Sequence, residues 1–215
     1  MADATVWAIV VAAGSGTRFG GAKQYAELGG CTILDRSVAA ARDACGGVVV
    51  VVPPADVDRP VPGADRVVAG GATRSVSVRA GLAAVPDDAE VIVVHDAVRP
   101  LASPELWQAA IGAVRAGADG ALCAVPVTDT IKRVDGTRII STIPRDGLVA
   151  VQTPQAFRAG ALRDAHAHSG EATDDGALVE ALGGRVVVVA GSSANLKITH
   201  PDDLVVADAL LRARP

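Results

Sequence analysis

Six short apolar runs, most of them rich in valine, constrain the fold of this chain more than any other feature. Apolar residues follow one another without interruption in these runs, which is typical of strands covered on both faces of a sheet. Segments with helical spacing lie between most of them. The order predicts an α/β three-layer sandwich with a mainly parallel, Rossmann-like twisted sheet, and we expect residues 1–215 to form one domain. The runs are Val6–Val11, Gly47–Val52, Arg66–Val68, Val91–Val94, Ala121–Val125 and Arg185–Val189.

Residues Val127–Ile143 do not follow this pattern. They contain two short stretches of alternating polar and apolar residues around Asp135-Gly136, a dipeptide that strongly favours a hairpin turn. The segment therefore predicts a β-hairpin that protrudes from the sandwich. From the residues alone, a surface hairpin without a role and a functional arm both remain open.

Composition and charge disfavour nucleic acids and membranes as partners. The 20 basic and 24 acidic residues give a net charge of −4, and two Trp, one Tyr and two Phe offer no platform on which bases could stack. No apolar run approaches the ~20 residues of a membrane span, and the first residues lack the basic start of a signal peptide. We expect a cytoplasmic protein in which Cys31, Cys45 and Cys123 are buried or partly buried thiols.

The first apolar run leads directly into a loop of small residues, Ala12-Ala13-Gly14-Ser15-Gly16, which Arg18 and Lys23 follow. Small side chains let a ligand lie against the backbone, where successive N–H groups can bind phosphate oxygens. The two cations place positive charge beside those N–H groups. The loop therefore predicts a binding site for a nucleoside triphosphate.

Two other phosphate-binding motifs do not fit this loop. The dinucleotide fingerprint needs a third glycine where the chain has Phe19, and the second apolar run leads into Pro53-Pro54 rather than an acidic residue. The Walker loop needs Gly before its lysine and Ser or Thr after it, whereas Lys23 lies between Ala22 and Gln24. These departures disfavour a nicotinamide-dependent oxidoreductase. A non-catalytic nucleotide-binding module remains an alternative.

A series of short motifs follows the loop in chain order. They are Lys23-Gln24-Tyr25, Gly70-Gly71-Ala72-Thr73-Arg74 with Ser77, His95-Asp96-Ala97-Val98-Arg99-Pro100, Pro126–Thr130, Gln152–Gln155, Thr173–Asp175 and Asn195–Thr199. Together they resemble the nucleotidyltransferases that activate sugar and polyol phosphates, and most closely the 2-C-methyl-D-erythritol 4-phosphate cytidylyltransferase family of non-mevalonate isoprenoid biosynthesis. The resemblance spans nearly the whole chain. It implies a single nucleotidyltransferase domain that joins CTP to 2-C-methyl-D-erythritol 4-phosphate and releases pyrophosphate, with ribitol 5-phosphate or another polyol or sugar phosphate as the alternative acceptor.

The resemblance also implies roles for individual residues. Because the attacking phosphate is already a dianion, the reaction needs positioning and fixed cations rather than a strong base. The cations implied to be catalytic are Arg18, Lys23, Arg145 and Lys197. Nucleotide binding is implied for Ala12, Ala13, Gly14, Gly16, Gly70, Gly71, Ser77 and Ala97, and binding of the polyol phosphate for Asp96, Arg99, Thr130 and Thr153.

The family further implies a cofactor and a partner. The cofactor is Mg²⁺ carried on the phosphates of CTP, with Asp96 as a candidate protein ligand. Residues 127–145 are implied to form a β-arm that crosses to a second subunit, so that Thr130 and Arg145 act in trans in a homodimer. The chain departs from the family at Ala72, where an acid is common, and at Gly20-Gly21-Ala22, where a proline usually precedes the lysine.

Three further expectations concern polar residues near these motifs. We expect His95 to be a structural hydrogen-bonding group, since no second histidine or carboxylate cluster accompanies it. Thr173–Asp175 is expected to begin a helix near the site. His166 and His168 belong to a polar helical segment, so both are expected to be solvated.

Overall fold

A seven-stranded sheet forms the centre of the protein in a computed structural model that describes residues 3–14, 16, 19–168 and 170–213. The strands are β1 (Val6–Val11), β2 (Glu27–Leu28), β3 (Cys31–Thr32), β4 (Gly47–Val52), β5 (Arg66–Ala69), β6 (Val91–Asp96), β7 (Gly120–Pro126), β8 (Ile131–Asp135), β9 (Arg138–Ile143), β10 (Val149–Arg158) and β11 (Val186–Ala190). The α-helices are α1 (Ile33–Ala44), α2 (Arg74–Ala84), α3 (Pro104–Arg115), α4 (Ala159–His168), α5 (Asp175–Ala181) and α6 (Pro201–Arg212), and two short 3₁₀ helices cover Lys23–Tyr25 and Pro54–Asp56.

The strands of the sheet follow the order β11-β7-β10-β6-β1-β4-β5. β1 pairs in parallel with β4 and β6, as β4 does with β5 and β7 with β11, whereas β10 runs antiparallel to β6 and β7. All six predicted runs form strands, with ends that shift by at most two residues. The predicted α/β sandwich is confirmed, although the sequence did not predict β10.

Helices cover both faces of the sheet because alternate strand residues point to opposite sides. On one side Ala8 and Val10 of β1 belong to the same apolar core as α1 and α3, and on the other side Ile9 belongs with α2, α4 and α5. All six residues of β4 are buried, which explains its continuous valine run. Burial of each such valine or isoleucine contributes roughly 1.5–3 kcal/mol.

The three cysteines have the burial that the sequence predicted. Cys45 and Cys123 are buried free thiols, and Cys31 is a partly buried one, as predicted. Within the described ranges, no helix has both the length and the apolar character needed to cross a membrane.

The carboxyl ends of β1 and β6 meet at one edge of the sheet, with Val11 opposite Asp96. The loops that follow them are fixed by backbone hydrogen bonds from the Ala12 N–H to the Val51 oxygen (2.7 Å) and from the Ala97 N–H to the Val11 oxygen (3.0 Å). From β1 the chain first fills one side of the sheet with β4 and β5, and then continues with β6 on the other side. Ligands of open α/β sheets bind outside the strand ends at such a reversal.

β8 and β9 form a separate two-stranded antiparallel sheet, as the sequence predicted. Asp135 pairs with Arg138, and Gly136 has a φ of +54°, a left-handed conformation that glycine adopts readily. The apolar side chains of Val134, Ile139 and Ile140 are 57%, 60% and 52% exposed. That this hairpin is an arm to a second subunit stays a prediction.

Candidate active site

A cavity of about 530 Å³ opens at the carboxyl ends of β1 and β6, and we call it the first cavity. The small-residue loop after β1 lines it, as do the start of α2 and the loop before that helix. Six of the predicted nucleotide-binding residues line it, together with Lys23. These six are Ala12, Ala13, Gly14, Gly16, Gly71 and Ser77.

Gly70 and Ala97, the other two predicted nucleotide-binding residues, do not line this cavity. A Cβ on Gly70 would lie 2.4 Å from the Ala13 Cβ, so glycine here allows the loops after β1 and β5 to approach each other. Ala97 is fully buried, and its carbonyl oxygen accepts a hydrogen bond from the Ser37 hydroxyl at 2.6 Å. Both residues support the cavity wall from behind.

Ser77 fixes the loop that begins α2. Its Oγ accepts a hydrogen bond from the Gly71 N–H at 3.2 Å and donates one to the Thr73 carbonyl at 2.9 Å. Thr73 is the N-cap of α2, since its side chain accepts from the Val76 N–H. The single hydroxyl hydrogen of Ser77 is therefore committed to Thr73, while one lone pair remains for a ligand donor.

Lys23 begins a short 3₁₀ helix and lines the first cavity. The glycine loop before it is tight: Gly16 has a φ of +65°, and a Cβ there would lie 1.9 Å from the Gly21 oxygen. At the other end of the helix, the Tyr25 hydroxyl donates to Asp56 at 2.9 Å. The predicted cation Arg18 lies outside the described residues.

A second cavity of about 350 Å³ adjoins the first. Among the predicted substrate-binding residues, Asp96, Arg99 and Thr153 line it. Arg74, Asp96 and Lys197 line both cavities, and we call these three residues the shared wall. The remaining lining residues are Val151, Gln152, Gln155, Thr173 and Asp174.

The shared wall is held together by ion pairs around Asp96. Lys197 Nζ lies 2.8 Å from Oδ2 of Asp96, and Arg74 Nε lies 3.6 Å from Oδ1. Burial alone would raise the pKa of Asp96, but the charges of Lys197, Arg74 and Arg99 outweigh it and lower the pKa to about 2. Asp96 is thus surrounded by three cations, one of which, Arg74, is also paired with Asp175. Among the described residues that line the first cavity, three cations (Lys23, Arg74 and Lys197) face one carboxylate, which leaves an excess of positive charge for anionic ligands.

Arg74 is a residue of this site that sequence reasoning missed. Its Nη1 lies 2.7 Å from Oδ2 of Asp175, and its side chain is 25% exposed. Burial opposes its charge, but Asp175 and Asp96 outweigh that effect and raise the pKa of the guanidinium above its ordinary value. The signal was present, because Arg74 is part of the Gly70–Arg74 motif.

Polar groups behind the second cavity fix Thr153. Its Oγ1 accepts a hydrogen bond from the Asp96 N–H at 3.0 Å and lies 3.1 Å from Nδ1 of His95. The Asn195 side chain donates to the Thr153 carbonyl at 2.9 Å. Burial lowers the pKa of His95 to about 4, so this histidine is neutral at pH 7 and has the structural place that was predicted.

Thr130 and Arg145 are not brought into either cavity by the chain itself. Both are exposed at the base of the β8–β9 hairpin, and Arg145 donates a hydrogen bond to the Thr128 carbonyl. Neither belongs to the described residues that line the two cavities. Their predicted role in trans remains a prediction.

The expectation for His166 was wrong. Its side chain is buried, and Nε2 lies 2.9 Å from Oδ1 of Asp175, whereas His168 is exposed as expected. His166 lies on the face of α4 that packs toward α5, where Asp175 supplies a polar partner.

The prediction that Thr173–Asp175 begins a helix is confirmed. Asp174 is the N-cap of α5, since its side chain accepts a hydrogen bond from the Ala177 N–H at 2.9 Å.

The described residues contain no cluster of three or more histidines, cysteines and carboxylates that could hold a metal ion. Asp96 is the one carboxylate among the described residues that line the first cavity, and it is ionised. Mg²⁺ often binds through one or two carboxylates together with substrate phosphates and water. The site therefore fits a magnesium ion that arrives with a nucleotide, and does not offer a protein cage for one.

Comparison with known proteins places the chain in a family. The profile of IspD, 2-C-methyl-D-erythritol 4-phosphate cytidylyltransferase, matches residues 6–213. A 2-C-methyl-D-erythritol 4-phosphate cytidylyltransferase of Frankia casuarinae is 47% identical over 220 residues, which cover 98% of this chain and 83% of that protein. A bifunctional enzyme IspD/IspF of Dinoroseobacter shibae is 44% identical over 97% of this chain, which spans only 54% of that relative.

Solved structures agree with the sequence relatives. The crystal structure of 2-C-methyl-D-erythritol 4-phosphate cytidylyltransferase from Thermus thermophilus is similar with a TM-score of 0.84 and 36% identity. The similarity covers 95% of this chain and 98% of that one. Since profile, relatives and structures agree over nearly the whole length, the chain belongs to the 2-C-methyl-D-erythritol 4-phosphate cytidylyltransferase family and is a nucleotidyltransferase.

Proposed function

We propose that the two cavities hold CTP and 2-C-methyl-D-erythritol 4-phosphate, and that cytidylyl transfer takes place at the shared wall. The observation that carries this proposal is that two adjoining cavities have Arg74, Asp96 and Lys197 in common. The larger cavity has the glycine loop and suits the nucleotide. The smaller one, with Arg99 and Thr153, suits a phosphorylated polyol.

The transfer forms one bond and breaks one bond at the α-phosphorus of CTP. An oxygen of the polyol phosphate attacks the α-phosphorus, and the bond from that phosphorus to the oxygen bridging toward the β-phosphate breaks, so that pyrophosphate leaves. No proton has to be removed from the attacking dianion. The enzyme has to bring two polyanions together and neutralise the charge that develops.

The cations divide this work by position. Lys197 lies where both substrates meet, which suits a point charge between the attacking phosphate and the α-phosphate. Lys23 lines the first cavity, where its charge would stabilise the triphosphate and the leaving pyrophosphate. Arg99 lines the second cavity, and its fork of donors suits the phosphate of the acceptor. We assign Arg18 the same task as Lys23 from its position in the loop.

Magnesium is part of the proposal. Asp96, the carboxylate among the described residues that line the first cavity, would help to hold an Mg²⁺ carried on the triphosphate, and the ion would supply positive charge that favours departure of pyrophosphate. Because Lys197, Arg74 and Arg99 already surround Asp96, we expect the phosphates to provide most of the ligands.

A homodimer is also part of the proposal. An isolated two-stranded hairpin is marginally stable in water, and the β8–β9 hairpin exposes Val134, Ile139 and Ile140. Burial of these side chains against a second subunit would stabilise the hairpin. It would also bring Thr130 and Arg145 to the second cavity of the neighbour.

Mixing two inactive variants tests action in trans. We expect Arg145→Ala and Lys23→Ala to be inactive alone. In a random mixture, half of the dimers are mixed and each has one complete site of two, so activity should recover to about one quarter of wild type. If the subunits exchange, as shown by fluorescent labelling, and the mixture stays inactive, then Arg145 serves its own subunit.

Release of pyrophosphate tests the function itself. With Mg²⁺ and CTP we expect turnover with 2-C-methyl-D-erythritol 4-phosphate, and much less with ATP, GTP or UTP. Family and relatives favour this acceptor over ribitol 5-phosphate. Robust turnover with ribitol 5-phosphate and none with the methylerythritol substrate would overturn the proposal.

A further inference from the structure

A buried acid and a buried histidine lie just outside the two cavities. The side chains of Asp175 and His166 are 1% and 2% exposed, and neither is among the described residues that line the two cavities. Burial of a carboxylate is costly unless its oxygens are paired. The contacts of Asp175 and His166 therefore indicate what role these two buried side chains have.

The two oxygens of Asp175 have different partners. Oδ1 lies 2.9 Å from Nε2 of His166, and Oδ2 lies 2.7 Å from Nη1 of Arg74. Since an ionised carboxylate only accepts, Nε2 carries the hydrogen of the first contact. The other ring nitrogen, Nδ1, has no hydrogen-bond partner among the described residues. The polar contact of this imidazole thus leads through Asp175 to Arg74.

Arg74 lies between two carboxylates, and Asp175 is the closer one. The distance from Nη1 to Asp175 is 2.7 Å, against 3.6 Å from Nε to Asp96. The contact with Asp175 is a close ion pair and not an aligned hydrogen bond, since Oδ2 of Asp175 has no hydrogen-bond partner among the described residues. This ion pair attracts the guanidinium to the Asp175 side of the shared wall. Without Asp175, Arg74 would be free to move toward Asp96 and to compete there with Lys197, which lies 2.8 Å from that carboxylate.

Further contacts fasten the segment before Asp175 to α2. The Ala172 N–H donates to the Ser75 hydroxyl at 3.4 Å, and Arg79 lies 3.3 Å from Glu171. The segment continues into Thr173 and Asp174, which line the second cavity. The Asp175–Arg74 pair therefore joins a wall of the second cavity to the start of the helix that lines the first.

We propose that His166 and Asp175 are positioning residues for cytidylyl transfer, and that they act by holding the Arg74 guanidinium in the shared wall. This inference rests on the proposed function for its kinetic consequence. Arg74 is the residue that meets the substrates, while His166 and Asp175 act through it. We expect loss of the histidine to displace Arg74 and to lower kcat/KM for the polyol phosphate.

A matched pair of substitutions tests the inference. Gln and Met have similar length, but only Gln can donate to Asp175 as Nε2 of His166 does. We expect His166→Met to lower kcat/KM about tenfold and His166→Gln to stay within about threefold of wild type. His168→Met, on the same helix but exposed, is the control and should not change the rate.

A double-mutant cycle separates positioning from a general loss of structure. If His166 acts through Arg74, then His166→Met should cause no further loss in an Arg74→Ala background. A tenfold loss in both backgrounds, or no loss in either, would overturn the inference. If His166→Met does not fold, Asp175→Asn replaces it in the same cycle.

A second readout distinguishes this inference from the proposed function. Arg74 lines the first cavity, so the same cycle can be measured on the Kd for CTP by calorimetry. If the wild-type protein binds CTP but does not convert 2-C-methyl-D-erythritol 4-phosphate, the proposed function is refuted. The double-mutant cycle measured on the Kd for CTP would still decide the role of His166. If the effects of His166→Met and Arg74→Ala on the Kd for CTP are additive, the positioning role is refuted. Release of pyrophosphate by the wild-type protein would still support the proposed function in that case.

Discussion

The substitution Gly14→Ala separates nucleotide binding from folding. Among the described residues, no atom would lie within 4 Å of a Cβ on Gly14, and Gly14 lines the first cavity. Its φ is not positive, so alanine fits the backbone without strain. We therefore expect the variant to be as stable as wild type, or more stable by about 0.4–1 kcal/mol.

The same methyl group would lie where the proposed triphosphate meets the backbone. If it prevents one hydrogen bond between an N–H group and a phosphate oxygen, about 1.5–3 kcal/mol of binding is lost. That loss corresponds to a rise in KM for CTP of about ten- to hundredfold. Pyrophosphate release with varied CTP measures KM, and urea unfolding measures stability.

Gly112→Ala provides the matched control. Gly112 lies within α3, and a Cβ there would likewise have no atom of the described residues within 4 Å. Gly112 is not among the described residues that line the two cavities. This variant should gain roughly 0.5–1 kcal/mol of stability and keep the KM of wild type. If Gly14→Ala keeps an unchanged KM as well, the nucleotide does not lie against the loop after β1.

Three other predictions follow from the site and the core. Lys23→Ala should lower kcat by about 10²–10³, far more than it changes the free energy of unfolding, because it removes one cation from the developing charge. A near wild-type kcat would contradict the role assigned to Lys23. The folded-state pKa of Asp96 is about 2, below its ordinary 3.8, so its contribution to stability is present above about pH 4 and is lost as the pH falls toward 2. Unfolding measured from pH 5 to pH 2 should therefore depend less on pH in Asp96→Asn than in wild type, and equal slopes would contradict the pKa shift. Burial raises the pKa of Cys45 to about 12 and that of Cys123 to about 11, so iodoacetamide should label only the partly buried Cys31 in the folded protein, as mass spectrometry can show.

The sheet shows what a sequence of this kind can and cannot predict. Continuous valine runs such as β4 are buried on both faces, so their composition alone identifies them as strands. The sequence did not predict β10, because Pro154 lies within this strand and a register shift separates Val151 from Gln155. A proline inside a run usually argues against a strand, and only the neighbouring strands β6 and β7 stabilise this one.

The residues of the candidate site were likewise predicted only in part. Residues that follow strands in a recognisable motif, such as Lys23 and Asp96, were predicted and line the first cavity. The partnership of Arg74 with Asp175 and His166 was not predicted, since it joins the start of α2 to α4 and α5, which lie far away in the chain. A histidine in a polar helix is expected to be exposed to solvent, and the sequence does not show that a buried acid such as Asp175 will contact it.

The central claim is that the first cavity binds CTP, that the second binds the polyol phosphate, and that the two substrates react at the shared wall. A crystal structure of the protein with the cytidine diphosphate product of 2-C-methyl-D-erythritol 4-phosphate tests it most directly. We predict the cytidine in the first cavity, the methylerythritol in the second, and the diphosphate in contact with Lys197 and Arg74. A product that lies entirely in the first cavity, with its diphosphate away from Lys197, would contradict the account.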